Sequence, residues 1–193
     1  GDADHIGGMQ AIVENMSVRT FIRGPDTVDP SAVEQELLVT LEDRQIPIYR
    51  GTSGVGWELE PGLSLQFLQP DVEKVPSSDR NAQSLVLRLV YQGRSFMLMG
   101  DADEAVERQI IDNWDIPPVD VLKAGHHGSG TSTGEEWLQA IRPRMTVLSL
   151  GENNRYNHPH PEVIERLQQG GSAIYRTDRQ GGIVVQVERE GTM

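Results

Sequence analysis

A layered α/β fold is what this sequence predicts, on three observations. Up to Gly100 the chain is rich in short stretches that alternate apolar and polar residues. From Asp101 it settles into an alternation of helical and strand patterns. Neither half contains an internal repeat or a low-complexity segment. The 193 residues suit one domain, 1–193, large enough to bury a substantial core.

The elements follow in order. Residues 9–15 are amphipathic enough for a helix, and Thr20, Phe21 and Ile22 read as a short strand. A helix from Pro30-Ser31 to about Arg44 places Val33, Leu37, Leu38 and Leu41 on one face, with Pro25 and Pro30 punctuating its approach. Strands are expected over 48–50, 57–59 and 63–68, the last alternating Leu63, Leu65 and Phe67 with polar neighbours. A polar loop over 70–80 leads into SLVLRLVY, whose Leu85, Leu87 and Leu89 face one way. A YQGR turn then joins it to SFMLMG as a hairpin. Beyond Asp101, helices over 103–114, 134–141 and 161–169 alternate with strands over 119–122, 146–150 and 174–176. Pro161 suits a first helical turn, Gly170-Gly171 ends that helix, and 183–187 is expected as a final strand.

Composition closes off several functions. The formal net charge of −12 argues against a broad electrostatic nucleic-acid surface, which rests on Lys and Arg neutralising phosphates. It leaves open an enzyme that meets nucleic acid only through metal ions. With no cysteine in the chain, disulfides and zinc–thiolate sites are excluded, so any metal falls to His, Asp, Glu or Asn. No stretch approaches the roughly 18–20 apolar residues of a membrane helix.

The chemistry gathers in short polar segments that hold all five histidines. The opening GDADHIGG packs Asp2, Asp4 and His5 ahead of two glycines. FMLMGDAD ends an apolar strand in Gly100 and Asp101, which sets a carboxylate at the carboxyl edge of a sheet, where ligand sites gather. Capping of the next helix is the other reading of Asp101. DVLKAGHHGSGTS ends a second strand in His126 and His127, and a capping loop has no need of two adjacent imidazoles. NNRYNHPHPEV places His158 and His160 around Pro159, just before a helix.

In sum, the pattern D-x-D-H-x-G-G, strand-G-D, strand-H-H-G-S resembles the metallo-β-lactamase superfamily. RNAQSLVLRL, LKAGHHGSGTS and NNRYNHPHPEVIERLQQGG with IYRTDRQGGI narrow the resemblance to the C-terminal domains of ComEC-type competence (DNA-uptake) proteins, from residue 1 to about 187. The resemblance implies a four-layer αββα sandwich with a one- or two-metal site between its sheets. It also implies that the strands preceding the leading H-x-H-x-D-H motif are missing. Gly1-Asp2-Ala3-Asp4-His5 reads there as x-D-x-D-H, so Asp2 stands at the second histidine and the first would fall just before Gly1.

Carried over residue by residue, the resemblance makes Asp4 and His5 ligands of one metal, with Asp2 helping to hold the other and Asp101 bridging them. One of the paired histidines is a ligand. His127 is favoured, with His126 facing the phosphate, although the sequence does not order the two. Asn81 takes the place of a further histidine found in many members, and with Ser84, Ser129, His158 and His160 it is expected to meet substrate. Asp4, His126, His158 and His160 form the expected catalytic set. A helix start attracts phosphate and a nearby imidazole can protonate a leaving alkoxide; exposed histidines in a proline-rich turn are the alternative. Asn153, Asn154, Arg155 and Asp178 share the resembling segment without an assigned role.

The implied function is a metal-dependent hydrolase, a phosphodiesterase or deoxyribonuclease that degrades the non-imported strand of incoming DNA. It would be attached to the membrane channel of the same full-length protein, on the extracytoplasmic face. Mn or Zn, up to two ions and under-occupied here, would polarise a phosphoryl oxygen and activate water, and a carboxylate-rich set suits Mn. A small-substrate hydrolase of the same fold, of phosphocholine esterase or lactonase type, is a second reading that the acidic composition favours. A non-catalytic scaffold is a third, and the retention of Asp4, His5, Asp101 and both loop histidines argues against it.

Overall fold

Two sheets organise the computed structural model, which describes residues 1–26, 29–69, 71 and 79–188. Most of the polar loop expected over 70–80 therefore lies outside the described residues.

The first part of the chain carries α1 (Ala3–Ile6), α2 (Met9–Asn15), β1 (Phe21–Arg23), α3 (Ala32–Asp43) and β2 (Ile48–Arg50). The strands β1 and β2 pair in parallel, Phe21 opposite Ile48, with α3 as the crossover. Ser31 starts α3 by accepting the Glu34 N–H on its hydroxyl at 3.2 Å. Val13, Leu37 and Leu41 bury together with Phe21 packed against them, so α2, α3 and the small sheet share one core.

The second sheet has seven strands among the described residues, in sequence order. β3 (Gly56–Glu60), β4 (Leu63–Gln69), β5 (Val86–Tyr91) and β6 (Arg94–Leu98) form an antiparallel meander. Gln92 and Gly93 close the β5–β6 hairpin with φ of 49° and 75°, the paired positive values of a turn whose twist matches the strands. β7 (Val121–Lys123), β8 (Met145–Leu148) and β9 (Ala173–Arg176) then add in parallel. Their crossovers carry α4 (Glu104–Asn113), α5 (Glu135–Ile141) and α6 (Pro161–Gln169).

The strand period of two sorts side chains between two environments. Val86, Met97 and Met99 enter the main core with Val106, Ile110, Trp137, Ile141, Val163 and Leu167 from the helices. Each such burial contributes roughly 1.5–3 kcal/mol. The opposite face, with Leu85, Leu87 and Leu98, lines a cleft of about 470 Å³ shared with Phe21, Ile22, Leu37 and Leu38. The cleft therefore lies between the seven-stranded sheet and the first part of the chain, where α1, α2, β1 and α3 contribute its other wall, while α4, α5 and α6 pack on the sheet's opposite face.

The described residues correct the expected end of the chain. After β9 comes a short helix, α7 (Thr177–Gln180), and residues 183–188 form no strand. Val184 is 89% exposed, so its alternating neighbours have the pattern of a strand but no sheet to join. No helix among the described residues is long and apolar enough to cross a membrane.

Candidate metal centre

The carboxyl ends of β6 and β7 bring the polar segments together. β6 runs out through Met99 into Gly100, whose φ of 56° turns the chain, and a Cβ there would lie 2.9 Å from that of Ser84. The Ser84 hydroxyl accepts the Asp101 N–H at 3.0 Å, fixing the buried carboxylate at the sheet edge. Ser84 thus acts on Asp101 through the backbone.

β7 leads into a 3₁₀ turn, Gly125–Gly128, in which His126 and His127 both adopt positive φ, 43° and 55°. Two consecutive non-glycine residues in this region cost of order 1–3 kcal/mol each. Several bonds hold them there. The His126 N–H donates to Gly100 O at 3.0 Å, the Ser129 N–H to His126 O at 2.8 Å, and the Ser132 hydroxyl to Gly125 O at 2.8 Å.

The strained turn aims both rings at Asp101. His127 Nδ1 lies 2.7 Å from Ser149 O, just beyond β8. A carbonyl oxygen can only accept, so Nδ1 carries the proton and Nε2 presents its lone pair. That Nε2 sits 3.5 Å from Asp101 Oδ1 and 3.6 Å from Asp4 Oδ2. From α1, His5 Nε2 meets Asp101 Oδ2 at 2.9 Å, and its ring lies 5.1 Å from that of His127. His126 stands one layer out, with Nε2 4.0 Å from Asp101 Oδ2.

These donors fit a divalent cation. Ligand atoms of Asp4, His5 and His127 all lie within 4.8 Å of one another. Bonds of about 2.0–2.2 Å at tetrahedral angles put ligands roughly 3.3–3.6 Å apart, the separation of His127 Nε2 from both carboxylates. Asp101 Oδ1 and His127 Nε2 are buried, face each other, and have no hydrogen-bond partner among the described residues. An ion bound between these two facing acceptors would satisfy both.

Electrostatics agree. The Asp101 hydrogen bond holds His5 above its ordinary value, more than burial lowers it. Burial works to raise Asp101, yet the His5 bond and the charges of His5, His127 and His126 leave its carboxyl lowered. Lys123, which the sequence reading passed over, donates Nζ to Gly100 O at 3.2 Å. Burial depresses its pKa, against the attraction of Asp101 and Asp4. Its signal was a lysine inside the apolar strand end VLK.

The other expected residues are placed less directly. Asp2 lines the cleft, but its carboxylate is paired with Arg80 at 2.8 Å. Asn81 also lines the cleft. Ser129 is buried and bonds the Thr131 hydroxyl at 3.1 Å, an internal loop contact. His158 packs edge-on to His126, 5.6 Å between ring centres, and burial together with His160 and His126 lowers its pKa. His160 accepts the Gly130 N–H on Nδ1 at 2.9 Å, which ties α6 to the histidine loop.

Comparison with known proteins fits this arrangement. No protein-family model matches the chain. It is 32% identical to ComE operon protein 3 of Bacillus subtilis over 182 residues, 94% of this chain and 23% of that protein. Competence protein ComA of Neisseria gonorrhoeae is 29% identical over 191 residues, 98% of this chain and 25% of the relative. Recombination protein 2 of Haemophilus influenzae is 39% identical over 135 residues, 69% of this chain and 16% of the relative. The chain thus spans about a quarter or less of the length of these relatives. Among solved structures, a CmlA beta-hydroxylase mutant superposes with a TM-score of 0.55 over 86% of this chain and 39% of its own, at 12% identity. That likeness is one of fold, the metallo-β-lactamase fold.

Proposed function

The chain is a metallo-β-lactamase-fold domain related to ComE operon protein 3 and Competence protein ComA, and on that premise we propose that it is a metal-dependent phosphodiesterase acting on DNA. One observation carries the reading. Ligand atoms of Asp4, His5 and His127 cluster within 4.8 Å of one another, Asp101 closes on His5 at 2.9 Å and on His127 at 3.5 Å, and Asp101 Oδ1 and His127 Nε2 are buried without hydrogen-bond partners among the described residues.

Asp4, His5, Asp101 and His127 would hold a divalent ion, Mn or Zn. Bound there, such an ion supplies Lewis acidity toward a phosphoryl oxygen and lowers the pKa of water. Lys123, whose Nζ donates to Gly100 O at 3.2 Å, would in its protonated form add positive charge near the carboxylates, where negative charge develops on a phosphate under attack. His126, between the ligands and His158, orients the substrate phosphate. In the full-length protein the domain would be joined to a membrane channel on the extracytoplasmic side and would degrade the strand that is not imported.

The net charge of −12 favours the second reading, a hydrolase of small phosphodiesters or lactones. Incubating the protein with single-stranded DNA, bis-p-nitrophenyl phosphate and a lactone, with Mn, Zn or EDTA, separates the two. Metal-dependent cleavage of DNA that is lost in Asp101→Ala supports the nuclease. Cleavage of the small substrates alone supports the second reading, and cleavage of none overturns both.

A further inference from the structure

Tyr156 contributes little to packing, and its hydroxyl accepts a hydrogen bond from the neighbouring Arg155 guanidinium at 2.5 Å. Its side chain is 54% exposed, and it belongs to neither hydrophobic core. The loop that carries it is nevertheless held firmly. The Asn154 amide donates to His158 O at 2.7 Å and to Gly151 O at 3.2 Å, while its carbonyl oxygen accepts the His158 N–H at 2.9 Å. Asn153 and Asn157 both take φ of 56°, a conformation asparagine tolerates better than most residues. The loop is built from its own polar groups, and its largest apolar side chain is left in solvent.

The position of that side chain is specific. Tyr156 stacks on His158, with ring centres 5.6 Å apart and 24° between planes, and the Arg155 guanidinium lies 4.8 Å from the tyrosine ring centre. His158 in turn meets His126 at 5.6 Å, His126 meets His127 at 6.3 Å, and His127 meets His5 at 5.1 Å. A continuous track of rings therefore leads from the metal ligands to an exposed tyrosine with a cation beside it.

Resting on the reading of the centre as a phosphodiesterase of DNA, we infer that Tyr156 and Arg155 form a stacking subsite for an unpaired nucleobase adjoining the scissile phosphate. Every base has a π-face, so an aromatic ring beside an arginine holds single strands without regard to sequence. A chain of net charge −12 has little general attraction for phosphates, which makes base stacking the available source of affinity. Paired bases are already stacked on their neighbours, so the subsite selects single strands.

The test is fluorescence anisotropy in EDTA, with a labelled single-stranded oligonucleotide and an abasic oligonucleotide of the same length. Wild type, Tyr156→Ala and Tyr156→Phe are compared after thermal melts show equal stability. Tyr156→Ala should weaken binding of the base-bearing strand by roughly tenfold, within the usual range for loss of one stacking platform. It should leave the abasic strand unaffected, and Tyr156→Phe should bind like wild type. Equal weakening on both strands, no weakening on either, or no binding of either strand by wild type overturns the subsite. Hydrolysis of bis-p-nitrophenyl phosphate by the Mn-loaded wild type, measured in parallel, shows whether the phosphodiesterase reading stands independently.

Discussion

His127 donates its Nδ1–H to the carbonyl of Ser149 over 2.7 Å, and this bond turns the Nε2 of His127, rather than that of His126, toward the cluster of Asp4, His5 and Asp101. With Nδ1 committed, the Nε2 lone pair of His127 points between Asp101 and Asp4. His126 has no comparable anchor, since its Nδ1 is buried without a hydrogen-bond partner among the described residues. Histidine ligands are commonly oriented through their second ring nitrogen in this way.

Asp101→Ala is expected to lower affinity for Mn or Zn by roughly a hundredfold or more, since it removes a ligand rather than a ligand's support. Hydrolysis should disappear with it. Elemental analysis of the dialysed wild type should find about one equivalent of metal, because Asp2 is engaged by Arg80. Wild-type metal content in the mutant would contradict the assigned role.

Metal affinity should rise with pH. His5 is raised by Asp101, so the ion pair within the metal-free centre is intact below its ordinary value of 6.5 and is lost as pH climbs through the raised value. Asp101 is lowered, so its share of that pair is present above 3.8 and is lost only as pH falls through the depressed value. A cation must displace the His5 proton, which costs up to about tenfold in affinity per pH unit below the raised value. Titration calorimetry with Zn at about pH 6 and about pH 8 checks this. A flat profile would show that His5 is not a ligand.

Gly128 should not tolerate alanine. Its φ is 84°, and a Cβ would lie 2.6 Å from that of Pro159 and 2.8 Å from Leu148 Cδ2. Strain and overpacking together predict a loss of about 2–5 kcal/mol in chemical denaturation. Since the turn aims both histidines, metal content should fall too. A variant of unchanged stability would mean the turn is more pliable than its contacts indicate.

Glu107 gives stability a pH dependence of its own. Burial raises its pKa from 4.5 to about 7, outweighing the hydrogen bonds it accepts from the Gly134 and Thr133 N–H groups. The folded protein therefore holds a proton that the unfolded chain releases near 4.5, and stability falls as pH rises across that window, by roughly 3 kcal/mol. Comparing urea midpoints at about pH 5 and about pH 8 for wild type and Glu107→Gln isolates the effect. A slope that survives in Glu107→Gln would assign it to other groups.

Much of the architecture is legible in the sequence because it is written in local pattern. The helices at Met9–Asn15 and Pro161–Gln169 and the hairpin closed at Gln92-Gly93 follow from apolar periodicity, a first-turn proline and turn chemistry within a few residues. Asp101 and the histidine pair stand out for the same reason, as polar residues ending apolar runs at the same edge of a sheet. Ile183 to Val187 shows the limit of pattern. The alternation is there, but a strand exists only beside a neighbour, and nothing local supplies one.

What the sequence by itself determined is therefore the set of side chains available for a metal centre and the strand ends that present them. Only tertiary structure decided their duties. His127 is oriented by a carbonyl 22 residues away, Asp101 is met by His5 across 96 residues, and Asp2 is claimed by Arg80 across 78. Lys123 acquires its place only when β7 is laid beside β6. Propensity and periodicity act over a few residues along the chain. Ligand geometry is set by distances through space, and these arise only when the sheet is assembled.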